Sequence, residues 1–207
     1  MMQTLSEKSS DTYLQIKLFQ LERLEKTYED FLSLPEFHKI TEFFRKYVYT
    51  TRNCEQRNDA FNLVHEKVAG ILGEKRIEAA TKLKHLNEMT DHLDELMARI
   101  HEKLFQNQCV SQSTYEACYV RLENRPERIR QIELLLETTS FSHKLTKFPL
   151  LGWGIKMMKF GTKRLGIGFI MEYFEAGYAA FRDIKNIEPF LHEIKKREFC
   201  YLNRLLP

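Results

Sequence analysis

The chain has 207 residues, 43% apolar and 29% charged, with 32 basic side chains against 29 acidic ones. That is enough apolar material for one large core or a core with an extension, and it excludes a disordered chain. A formal charge of +3 is far below the excess of a dedicated nucleic-acid binder, so nucleic acid is not expected as a partner.

Only 8 glycines and 5 prolines punctuate the chain, and Glu74 to Gln108 contains neither. Sheets of short strands need a turn signal roughly every 8 to 12 residues, so long helices are expected. The first predicted helix places Leu14, Leu18, Leu21, Tyr28 and Leu32 inward, with Leu24 standing in where Glu25 interrupts the seam. Ser33-Leu34-Pro35-Glu36 then reads as a capping box with proline in the first turn. It opens a second helix with Phe37, Ile40, Phe44, Tyr47 and Val48 inward. A third helix starts at Asn53 and Gln56, continues through Phe61, Val64, Val68 and Ile71, and ends at Gly73, a residue suited to a left-handed cap.

The strongest periodicity runs through Ala79, Leu83, Leu86, Thr90, Leu93, Met97, Ile100 and Leu104 in alternating steps of four and three. It predicts one long helix over about residues 75–106. A seam of that length implies a facing helix, and the first helix is the natural partner. Ser113-Thr114-Tyr115-Glu116 and Asn124-Arg125-Pro126-Glu127 each carry a helix-opening signature, and the second of these helices is expected to bury Ile129, Ile132 and Leu136. Tyr173, Phe174, Tyr178, Phe181 and Ile184 mark an aromatic-rich helix. Pro189 opens a last one with Leu191, Ile194, Leu202 and Leu205. The whole reads as an all-α bundle of about seven to nine helices. Composition divides it into residues 1–140, a helical bundle, and residues 141–207, a basic, glycine-containing and aromatic helical region packed on the bundle or extending it. One domain overall is the alternative.

Between Glu137 and Glu172 there is no acidic residue, while Lys144, Lys147, Lys156, Lys159, Lys163 and Arg164 supply positive charge. On a helical wheel Gly154, Gly161 and Gly168 share one stripe, flanked by Met157, Met158, Leu165 and Phe169, with Lys156, Lys159 and Lys163 opposite. Residues 144–171 thus have the pattern of a basic amphipathic helix, with Trp153 near its start. Each glycine costs roughly 0.8–1 kcal/mol in a helix interior. Two arrangements recover that energy. Close packing of the glycine stripe against a core helix, with the lysines on a solvated face, is favoured; insertion of the apolar face at an anionic membrane interface is the other.

Signatures of catalysis are weak. Gly161 and Gly166 stand at P-loop separation, but Ile167-Gly168 occupies the place of the required Lys-Ser/Thr, and no strand precedes it. None of His38, His65, His85, His92, His101, His143 and His192 falls in H-E-x-x-H or a paired E-x-x-H motif. The pairs Glu88–His92 and Glu188–His192 read as surface helix contacts. Cys54, Cys109, Cys118 and Cys200 form no C-x-x-C pair, so no metal and no cofactor is expected, and reduced thiols imply a cytoplasmic chain. Met1 to Ser10 lacks an apolar leader core, and no uncharged run approaches the ~18–20 residues of a spanning helix.

The expected function is therefore non-enzymatic: a helical adaptor, scaffold or accessory factor that receives a protein partner between its helices. The alternative is peripheral binding to an anionic membrane through Lys144, Lys147, Trp153, Lys156, Lys159, Lys163 and Arg164. An enzyme whose site assembles from residues distant in sequence is the remaining option.

Overall fold

The computed structural model describes residues 2–48, 74–106, 108–147 and 168–207. Among them are eight α-helices, one π-helical turn and no strand. The helices are α1 (Met2–Thr27), α2 (Glu29–Leu32), α3 (His38–Phe43), α4 (Glu74–Phe105), α5 (Gln112–Leu122), α6 (Arg125–Thr146), α7 (Gly168–Arg182) and α8 (Glu188–Leu205). The π-helical turn, Phe44–Val48, runs on from α3. The chain is an all-α multi-helix bundle, as its periodicity predicts, and α4 is the long helix. The third predicted helix lies outside the described residues.

α4 packs against α1, α5 and α6; α6 packs in turn against α7 and α8, and α3 lies on α7. One core gathers Ile16, Met97, Ala98, Tyr115, Cys118 and Leu202. A second, more aromatic core gathers Tyr28, Phe37, Phe181, Ile184, Phe190 and Ile194. Leu136 of α6 packs against both, so α6 is the wall the two cores share. The composition shift near residue 140 falls within α6.

Where the structure departs from the sequence pattern, a polar contact is the cause. The inward face of α1 is not the Leu14–Leu18 stripe. Leu18 is 45% exposed, and the buried positions are Ile16, Lys17, Gln20 and Leu21. Lys17 Nζ meets Asp91 Oδ1 of α4 at 2.7 Å, and Gln20 Nε2 donates to Asp94 Oδ1, so two residues that hydropathy assigns to solvent are drawn inside. The α4 seam is rotated to match. Leu93 and Met97 are buried as expected, but Leu104 is 47% exposed, and Asn87, Asp94 and His101, which recur at the heptad interval, are each at most 6% exposed.

Helix starts differ for related reasons. Ser33 Oγ donates to Asp30 O at 3.2 Å instead of capping a helix. Residues 33–37 form turns that bury Phe37, and α3 starts at His38 with no side-chain cap. α1 ends at Thr27, with Tyr28 in a turn, so the first predicted helix is broken before Leu32. The cap of α5 is Ser111 rather than Ser113: Ser111 Oγ accepts from Thr114 N at 3.3 Å, and Thr114 Oγ1 accepts from Ser111 N at 2.9 Å. Threonine thereby takes the place that a glutamate holds in the commoner capping box. α6 opens where expected, after Asn124 and with Pro126 in its first turn, though Asn124 makes no side-chain cap.

Candidate functional site

Two features stand out in the described part of the molecule: a polar seam inside the bundle and an apolar pocket at its side. The seam is built by α1, α4 and α6. Besides the Lys17–Asp91 and Gln20–Asp94 contacts, Gln131 Nε2 of α6 donates to Thr90 Oγ1 at 2.9 Å. Arg128 of α6 is buried with its guanidinium over the Tyr119 ring, 4.4 Å from the centroid, and gives Nη1 to Gln131 Oε1 at 3.1 Å. At the lower end of α4, His101 Nε2 pairs with Thr114 Oγ1 at 3.3 Å. A second set links α1 to α8: Arg23 holds Glu198 through both guanidinium nitrogens at 3.3 and 3.0 Å, and Tyr28 Oη donates to Glu198 Oε1 at 2.8 Å. Two of these contacts, Lys17–Asp91 and Arg23–Glu198, pair charge with charge, and the others join charged or polar groups across neighbouring helices.

The pocket has a volume of about 80 Å³ and is half open. It forms because apolar faces of α1, α2, α3, α6, α7 and α8 converge without filling the space between them. Leu24, Ile40, Phe44, Leu135, Phe181 and Phe190 contribute to its wall. Thr41 and Thr139 are its neutral polar residues, and Glu25 is its carboxylate. Arg45 holds Glu25 from the solvent side through Nε and Nη2, both at 2.6 Å, so that carboxylate is neutralised as an ion pair. An engineered cavity of about 150 Å³ with an apolar lining holds a benzene-sized molecule. A pocket of this volume has room for a smaller group, such as the branched end of a leucine side chain.

Among the described residues no three His, Cys, Asp or Glu side chains converge as a metal-binding set. No described helix is long and apolar enough to cross a membrane. Cys109 and Cys200 are exposed free thiols, and Cys118 is a buried one whose pKa burial pushes up to about 11. A thiol held protonated in an apolar core is inert packing material.

The model of a family described as a domain of unknown function, DUF8198, matches residues 2–207. The chain belongs to the DUF8198 family. The match takes in both cores, the seam and the pocket. No curated protein and no solved structure matches the chain.

Most of the basic and glycine positions of interest in the DUF8198 sequence are not among the described residues. Trp153, Lys156, Lys159, Lys163 and Arg164, with Gly154 and Gly161, lie outside the described residues. Lys144 is exposed near the end of α6. Lys147 has a structural role, because its Nζ donates to Ile184 O at 2.9 Å. His143 Nε2 meets the same oxygen at 2.9 Å, so both side chains satisfy a carbonyl just beyond the end of α7. Gly168 is the first residue of α7. At Gly177 of α7 a Cβ would stand 3.4 Å from Phe43 Cε2, an ordinary van der Waals distance, so the packing of α3 on α7 does not require glycine there. The pocket had no signature in the sequence, because its wall residues read as ordinary inward positions of separate helices. The polar seam had a faint one, in the heptad recurrence of Asn87, Asp94 and His101, but that has meaning only once α1 is known to bring Lys17 and Gln20 to it.

Proposed function

We propose that the chain is a non-enzymatic helical interaction protein of the cytoplasm, an adaptor, scaffold or accessory factor, that takes an apolar side chain of a protein partner into the pocket between α1, α2, α3, α6, α7 and α8. The observation that carries this reading is the pocket itself: half open, apolar in lining, with its carboxylate already neutralised by Arg45. Such a depression accepts the anchor of a helix or extended segment, the general mode by which grooves between helices recognise peptides.

The test is selection of a displayed peptide library on the native chain, with Thr139→Phe as the counter-target. The phenylalanine ring, entering from α6, obstructs the pocket, and circular dichroism checks that the variant stays helical. Enriched peptides are expected to share a leucine or similarly small aliphatic anchor and to lose at least ten-fold in affinity on the filled variant, about 1.4 kcal/mol. A native chain that enriches no peptide, or peptides indifferent to the filling, overturns the reading.

A second reading, docking on an anionic membrane through residues 144–171, is favoured by the exposure of Lys144 at the end of α6 and by the acid-free, Lys-rich composition that follows. Each surface cation contributes about 1 kcal/mol near anionic lipid. Lys156, Lys159 and Lys163 changed together to Glu are therefore expected to lower binding to anionic vesicles at least about 100-fold at low salt, read by flotation. Equal flotation of the two chains, or none by the native chain, rules this reading out.

A further inference from the structure

Asp94 is a buried carboxylate of the seam whose hydrogen bonding is incomplete. Its side chain is 0% exposed, its Oδ1 accepts one hydrogen bond from Gln20 Nε2, and its Oδ2 has no partner. An ionised carboxylate offers about four acceptor sites, and a buried one needs them filled. The charged and titratable groups that face Asp94 are Lys17 on α1, Asp91 on its own helix, Tyr115 on α5 and Arg128 on α6. None of the cations closes a direct ion pair with it. Lys17 Nζ sits 2.7 Å from Asp91 Oδ1. Arg128 is turned onto the Tyr119 ring and Gln131, with its Nε and Nη2 unpartnered. Tyr115 is itself buried at 1% exposure, and Asp91 adds a second negative charge one turn away.

We propose that Asp94 is a proton-binding site that tightens the seam between α1, α4 and α6 as the solution becomes mildly acidic. The neutral carboxyl keeps the bond from Gln20 and gains an O–H donor. It also removes the repulsion from Asp91 and loses little by being buried. Burial pushes the Asp94 pKa up to about 6, with Lys17 and Arg128 opposing the rise and Asp91 adding to it. Because the folded value lies above the ordinary 3.8, folding takes up a proton in this window. The stabilisation is full below about pH 4 and is lost as pH rises through about 6. Asp30 and Glu116, each held by an arginine, have carboxyls lowered below their ordinary values and act in the opposite direction at lower pH. A comparison with a chain altered only at Asp94 cancels their contribution.

Asp94→Asn presents a neutral group of the same shape. Urea unfolding of the native chain and this variant from about pH 7.5 to about pH 4.5 is expected to show the native chain gaining on the variant by roughly 25-fold in folding equilibrium constant on acidification. Carbon-13 NMR of the native Asp94 carboxyl is expected to titrate near pH 6. A flat or reversed difference between the two chains overturns the proposal, as does an Asp94 that titrates at or below the ordinary aspartate value. If Asp94→Asn does not fold, the carboxyl titration of the native chain decides alone.

Discussion

Glu198→Ala is expected to destabilise the fold by about 3–5 kcal/mol, the cost of removing one partner from a buried ion pair. Glu198 is buried on α8 and is the shared acceptor for two groups of the first helical layer: the Arg23 guanidinium, through two nitrogens, and the Tyr28 hydroxyl. Without it Arg23, whose side chain is 17% exposed, keeps only the Tyr201 ring, 4.6 Å from its guanidinium carbon, as a partner for its charge. Burial, reinforced by Glu198, pushes the Tyr28 hydroxyl above its ordinary pKa, so it remains a donor and is left without an acceptor. Glu198→Gln keeps an acceptor for Tyr28 and loses the charge, and should fall between the native chain and Glu198→Ala. The measurement is the urea midpoint at unchanged slope. An Ala variant that unfolds at the native midpoint would show that α8 is held by apolar packing alone. The pair matters to the fold because its partners lie on α1 and α8, at opposite ends of the chain.

Phe190→Ala is expected to cost a similar amount, about 3–5 kcal/mol, for a different reason. Phe190 is the ring around which the second core is arranged: Tyr28, Phe31 and Phe37 lie at centroid distances of 5.6, 5.2 and 5.1 Å. Truncation removes the ring's burial and three edge or tilted ring contacts, and those pairs add about 0.5–1.5 kcal/mol each beyond their area. It also removes one wall of the apolar pocket, so the space left should merge with the existing about 80 Å³. That enlarged cavity is large enough for benzene. Saturating benzene should therefore restore part of the lost stability in the variant while leaving the native midpoint unchanged. A variant that loses stability but gains nothing from benzene would mean that the surrounding helices collapse into the space, and that the pocket is not rigid in solution.

The helices of this chain were largely legible from local pattern. The 3.6-residue period of Leu83 to Leu104 located α4 within a residue or two at each end, and Pro126 and Pro189 marked the starts of α6 and α8. The inward roles of Phe37, Ile40, Tyr47, Phe181, Ile184 and Ile194 were likewise readable, and all are buried. Apolar side chains reveal themselves locally because the energy of hiding them depends on area alone and not on what covers them.

Which face of a helix turns inward was a different matter wherever polar residues were involved. Nothing about Lys17 or Gln20, taken singly, distinguishes a buried side chain from a solvated one. Lys17 is 1% exposed only because Asp91, distant in sequence, meets its ammonium, and without that partner burial would cost several kcal/mol. The burial of Asp94, Arg128 and Glu198 likewise depends on side chains that other helices bring to them. The sequence by itself determined that this DUF8198 chain is helical, how long its main helix is, and many of the apolar residues that its cores hold. The tertiary structure alone decided the rotation of α1 and α4 about their axes, the polar seam between them, and the pocket left where several helices meet. The physical reason is that hydrophobic burial is non-directional and written residue by residue, whereas a buried charge or an unfilled space exists only as a relation between side chains that folding brings together.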